Sequence, residues 1–159
     1  MSVNIGIIGC GRISGHHCRS IVETEGVELV AVCDLDIERA NHYQDLFNAK
    51  AYSNYHDMLE ENPHIDTVAI VTPSGMHYEH ALQIVSKYKK NIIVEKPTFL
   101  KPSQVSEVYR SASDVGVEVF AVFQNRYNLA VQRVLKGLED GELGEIRSVA
   151  VRVRWCRPQ

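Results

Sequence analysis

Two charged or polar clusters, each closing an apolar run, are the residues whose types and spacing could do chemistry. Glu95-Lys96-Pro97 follows the run at residues 91–94. A charged pair pinned by a proline at the end of a buried strand is costly unless the charges face a cleft. Lys96 is the candidate catalytic residue: an ammonium beside a hydride acceptor can hold a substrate hydroxyl and stabilise the alkoxide character that grows as hydride leaves carbon. Glu95 is placed to orient it. The second cluster, Thr72-Pro73-Ser74 followed by His77, closes the run at residues 67–71. His77 and His80 stand i, i+3, a spacing that two metal ligands can use, but no third ligand of suitable spacing accompanies them and no metal is expected. Ser74 has no Gly-x-Ser-x-Gly elbow around it and reads as a helix cap, not a nucleophile. His77 reads as lining the cleft at the helix start, and His80 as surface.

A third group binds instead of reacting. Gly9-Cys10-Gly11-Arg12-Ile13-Ser14-Gly15 follows the first apolar run and opens a segment of helical period. Gly9 permits a tight turn, and Gly11 lets the backbone approach a pyrophosphate whose charge is met by the amides of Gly11, Arg12 and Ile13 at the positive helix end. Ser14 stands where this fingerprint has its third glycine, and it is small enough to keep helix and strand close. Asp34, about 20 residues on, ends the second run. Its carboxylate can accept from both ribose hydroxyls of NAD and would repel a 2′-phosphate, so NAD is expected over NADP. Arg39 either flanks the adenine or is a solvated helix-face residue. His16 and His17 read as helix-face residues, with one of them possible near a phosphate.

The elements that must position these groups follow from periodicity. Short Val/Ile-rich runs at residues 4–9, 27–33, 67–71, 91–94 and 117–123, with a weaker one at 49–52, alternate with segments of helical period. They are apolar nearly throughout, as expected of strands covered by helices on both faces. The predicted fold is α/β, a doubly wound parallel sheet in which ligands lie beyond the carboxyl ends of the strands. His77, Ala81, Ile84, Val85 and Tyr88 form one helical stripe, and Pro102 opens a helix reaching about residue 113. After residue 123 the pattern changes. A polar connection leads to an amphipathic helix over 129–138, a glycine turn at 141–144 and a strictly alternating segment at 146–155. That segment predicts a half-buried strand of a different, antiparallel sheet. Such a strand is not stable alone, so the chain reads as the N-terminal part of a longer polypeptide, with pairing to another chain as the alternative.

Composition bounds the partners. The 159 residues carry 17 Lys plus Arg, 20 Asp plus Glu and a formal net charge of −3, which gives no basic field for nucleic acid or an anionic membrane. No run is long enough to span a bilayer and no leader pattern opens the chain, so a cytoplasmic protein is expected. Cys10, Cys18, Cys33 and Cys156 lie far apart and read as reduced packing residues.

Taken together, the glycine turn, Asp34, Thr72-Pro73 with His77, and above all Glu95-Lys96-Pro97 resemble the Gfo/Idh/MocA family of nicotinamide-dependent sugar oxidoreductases. The resemblance covers the whole chain. Gln124-Asn125-Arg126-Tyr127-Asn128 and Arg154-Trp155-Cys156-Arg157-Pro158-Gln159 are similar to a subgroup acting as UDP-N-acetyl-glucosaminuronate 3-dehydrogenases in surface-polysaccharide synthesis. The family implies a Rossmann domain, here residues 1–124. It also implies the start, at 125–159, of an antiparallel α+β domain that supplies the substrate pocket and the interface of a homo-oligomer. By the same match Lys96 is the catalytic lysine, Glu95 and Lys96 border the nicotinamide, the Lys96-Pro97 bond is open to the cis form, and Gln124 and Asn125 sit near the cofactor. The family's acid or base histidine lies beyond this sequence, so the chain alone is expected to bind NAD with little turnover. The implied substrate is a nucleotide-linked sugar. The alternatives are a dehydrogenase of free sugars, inositol or other polyols, and a non-catalytic NAD-binding regulatory module.

Overall fold

A computed structural model describes residues 2–152 and 154. The chain alternates strands and helices as β1 (Val3–Ile8), α1 (Ser14–Val22), β2 (Val27–Cys33), α2 (Ile37–Phe47), β3 (Lys50–Tyr52), α3 (Tyr55–Glu61), β4 (Thr67–Ile70), α4 (His77–Gln83), β5 (Asn91–Val94), α5 (Pro102–Val115) and β6 (Val119–Ala121), followed by α6 (Leu129–Glu139). The strands form one sheet in the order β3-β2-β1-β4-β5-β6. Every pairing is parallel. This is the doubly wound α/β sheet that the apolar runs predict, with its order reversing between β1 and β4.

The sheet is buried on both faces because its strands feed two separate cores. Along β4, Val68 and Ile70 point into a cluster with Met58 and Leu59 of α3, Ala81 of α4, and Val108 and Ala112 of α5. Ala69 joins Ile5, Ile7 and Val32 in the other cluster, with Cys18 and Ile21 of α1 and Ala40 of α2. Each fully buried Ile or Val contributes about 1.5–3 kcal/mol relative to exposure. The His77 stripe is inward as expected, although the helix relaxes into a π-helical turn over Ile84–Tyr88.

The chain separates into two compact units, Met1–Val122 and Phe123–Gln159. In the second, Gln124–Tyr127 forms a 3-10 turn. The Asn128 side chain accepts from the Ala130 amide at 2.9 Å to start α6, and Gly141 and Gly144 follow with positive φ of 73° and 60°. The strand expected over 146–155 is not formed at 146–152, where Val149 and Val151 are 77% and 81% exposed. Alternation favours a strand only when a partner supplies the ladder, and among the described residues this segment has none. Residues 153 and 155 of that strand, and residues 156–159 with Cys156, lie outside the described residues.

Candidate functional site

Register brings the predicted groups to one edge. Ile8 pairs with Ile70, and Ile70 with Val94, so the chain leaves three neighbouring strands at the same level. The ladder continues one step further: the Val71 amide donates to the Ile8 carbonyl at 2.8 Å and the Glu95 amide to the Ile70 carbonyl at 3.0 Å. The glycine turn, Thr72-Pro73 and Glu95-Lys96 are thus set side by side at the carboxyl edge, the place where such sheets bind ligands.

In the glycine turn the two glycines do different work. Gly9 has φ +97°, and a Cβ there would lie 2.7 Å from the Val71 carbonyl oxygen. The turn therefore rests directly on the chain leaving β4. A Cβ at Gly11 would meet nothing within 4 Å, so no protein packing requires a glycine there. Ser14 is buried and its hydroxyl donates to the Gly9 carbonyl at 2.6 Å, which explains how serine replaces the third glycine. Tyr43 of α2 adds a brace by donating to the Gly11 carbonyl at 2.7 Å. The amides of Gly11, Arg12 and Ile13 have no acceptor among the described residues. Three unpaired donors over an open face, at the positive end of a helix, fit a pyrophosphate.

Asp34 stands at the end of β2 with Oδ2 accepting from the Cys10 amide at 2.7 Å and Oδ1 from the Asp36 amide at 3.0 Å. Each oxygen keeps one lone pair, which fits two ribose hydroxyls. Leu35 beside it is 85% exposed. Arg39 is exposed and its Nε pairs with Asp36 Oδ2 at 3.1 Å, which is the solvated helix-face alternative.

At the other end, the Lys96-Pro97 bond is cis and Lys96 is exposed. The expected side-chain partnership between Glu95 and Lys96 is absent among the described residues. Glu95, 8% exposed, directs Oε1 to His17 Nε2 at 2.8 Å and accepts the Lys96 main-chain amide on Oε2 at 2.9 Å. Sequence reasoning missed this role of His17. The signal available is that it borders the inward helical stripe of Ser14, Cys18 and Ile21.

His77 corrects the expectation of a cleft-lining ligand. It is 1% exposed, with Nδ1 2.9 Å from the Pro97 carbonyl and Nε2 2.8 Å from the Thr72 carbonyl. Neither nitrogen is left for a bound molecule, and the ring ties the two strand-end loops together from behind. His80 is half-buried, not surface. It meets Thr72 Oγ1 at 3.1 Å and the edge of Tyr55, and burial lowers its pKa. Ser74 starts a 3-10 turn without a side-chain cap. Cys10, Cys18 and Cys33 are buried free thiols. Gln124 and Asn125 belong to the second unit and are exposed.

Known proteins share this fold. Residues 3–123 match the Gfo/Idh/MocA family, described as an oxidoreductase family with an NAD-binding Rossmann fold. The chain is 30% identical over 148 residues to glucose-6-phosphate 3-dehydrogenase of Bacillus subtilis, covering 92% of this chain and 41% of that protein. The WlbA dehydrogenase of Bordetella pertussis, solved with NADH and UDP-GlcNAcA, superposes with a TM-score of 0.83 at 32% identity, over 91% of this chain and 44% of that one. The myo-inositol 2-dehydrogenase of Lactobacillus plantarum superposes with a TM-score of 0.83 at 28% identity, over 92% and 43%. The chain spans less than half the length of the curated relatives it matches. It belongs to the Gfo/Idh/MocA oxidoreductase family, of which residues 3–123 are the NAD-binding Rossmann domain.

Proposed function

We propose that this chain carries the NAD-binding part and the catalytic lysine of a dehydrogenase that oxidises a ring hydroxyl, at carbon 3, of a nucleotide-linked sugar such as a UDP-N-acetylated glucosaminuronic acid. The observation that carries the reading is the alignment of β1, β4 and β5, which sets Lys96 on the same edge as the glycine turn and Asp34. Bound NAD supplies the hydride acceptor. The amides of Gly11, Arg12 and Ile13 hold its pyrophosphate and Asp34 its adenosine ribose. Thr72, Pro73 and Glu95 border its nicotinamide half. The Lys96 ammonium donates to the substrate hydroxyl oxygen and stabilises the negative charge that grows there as hydride leaves carbon, while the hydroxyl proton departs to an acid or base partner outside this sequence. The nucleotide-sugar substrate is supported by the 32% identity to the dehydrogenase solved with UDP-GlcNAcA.

A second reading, oxidation of a free polyol or sugar, is favoured by the inositol 2-dehydrogenases and the D-glucoside 3-dehydrogenase among the relatives. Following NADH absorbance in the protein that carries this chain, with UDP-GlcNAcA, myo-inositol and glucose 6-phosphate in parallel, separates the two. Lys96→Ala is expected to lower turnover by about 10²–10⁴-fold while calorimetry finds NAD affinity within a few-fold of native. Near-native turnover in that variant overturns the assignment.

A further inference from the structure

Glu95 and Lys96 are adjacent opposite charges, yet the carboxylate points elsewhere. Its Oε1 is held by His17 Nε2 at 2.8 Å and its Oε2 by the Lys96 amide at 2.9 Å. Glu95 and His17 side chains are 10% and 19% exposed. The Lys96 ammonium makes no ion pair among the described residues. The contact joins two elements: His17 lies on α1, the helix behind the glycine turn, and Glu95 follows β5. A buried carboxylate deprived of one partner is driven to find another, because an unpaired buried charge is costly. The cation next in the chain is Lys96.

We propose that His17 is a positioning residue that holds the Glu95 carboxylate away from the Lys96 ammonium, keeping that ammonium available to a substrate hydroxyl. The inference rests on the reading of Lys96 as the catalytic lysine. Its physical content is separate: an ammonium locked to a neighbouring carboxylate gives up its proton less readily and is engaged before a substrate arrives. His17 therefore acts through Glu95, without touching the reacting atoms.

Trace acetylation with acetic anhydride, with each lysine's rate read by mass spectrometry relative to the others, tests this in the whole chain without NAD or substrate. In His17→Leu, Lys96 is expected to label slower by about tenfold, the effect of an opposite charge brought into contact. His17→Gln, whose amide can still donate to Glu95, keeps the native rate. Adding Glu95→Gln to His17→Leu removes the charge and restores it. Glu95→Gln alone, which needs no change at His17, leaves Lys96 labelling as in the native protein, since that carboxylate is already held off. An unchanged Lys96 rate in His17→Leu, equal slowing in the double variant, or faster labelling in Glu95→Gln overturns the proposal. Because labelling needs no turnover, these outcomes are distinct from those of Lys96→Ala, which test the catalytic reading itself.

Discussion

The Cys10 amide donates to Asp34 Oδ2 at 2.7 Å, which makes the glycine turn and the carboxylate after β2 one hydrogen-bonded unit. The acid thus shapes the turn while each of its oxygens keeps a free lone pair. Hydrogen bonds to a charged group are worth about 1.5–3 kcal/mol each. Asp34→Ala is therefore expected to weaken NAD binding by at least about tenfold and to narrow the preference for NAD over NADP. Titration calorimetry with both dinucleotides checks it. Unchanged NAD affinity would remove Asp34 from the site.

Gly9 and Gly11 separate folding from binding. At Gly9 an added methyl meets the Val71 carbonyl at 2.7 Å with φ at +97°, so Gly9→Ala is expected to cost about 1–3 kcal/mol of stability. At Gly11 the methyl enters open space. Gly11→Ala should leave stability within about 0.5 kcal/mol and lower NAD affinity by about tenfold or more. Urea denaturation and calorimetry on both variants give the two readouts, and equal destabilisation by the two would contradict the division of roles.

The parallel sheet is legible in the sequence because strands buried on both faces must be apolar throughout, and β2 and β5 keep the boundaries that their apolar runs predict. The edge strand β6 is shorter than its run, three residues, since only one neighbour supplies a ladder. Periodicity does not announce α3, whose seven residues bury only Met58 and Leu59. The expected strand at 146–155 shows the opposite limit: alternation is local, but a ladder needs a second strand. At the site, residue types revealed which groups meet the edge. They did not reveal that His17 takes Glu95 or that His77 takes Thr72 and Pro97, because contacts 78, 5 and 20 residues apart have no common periodic signature.

The buried His77 ring predicts a structural defect. Replacing it by leucine removes the ring that meets the part-buried Thr72 and Pro97 carbonyls, one of which a neutral imidazole can serve as donor, and an acceptor orphaned away from water costs about 1–3 kcal/mol. His77→Leu should unfold at correspondingly lower urea. A fully native urea midpoint would show that solvent already satisfies both carbonyls.

The three buried thiols set an alkaline limit to stability. Burial pushes Cys10 and Cys33 up to about 12, with Asp34 adding to both, and pushes Cys18 up to about 11, all from 9.0. A group whose folded value is raised holds its proton while the unfolded chain loses it. The contribution is therefore intact below pH 9.0 and is lost as pH rises toward 11 and 12. Stability by urea denaturation should accordingly fall above pH 9, and Cys10→Ala should flatten part of that slope. Since the thiolate is the nucleophile, these cysteines should resist a disulfide reagent in native protein at mildly alkaline pH and react at once in urea. Prompt native labelling of Cys10, beneath the glycine turn, would mean that the turn opens and that its packing on Asp34 is looser than the hydrogen bond implies.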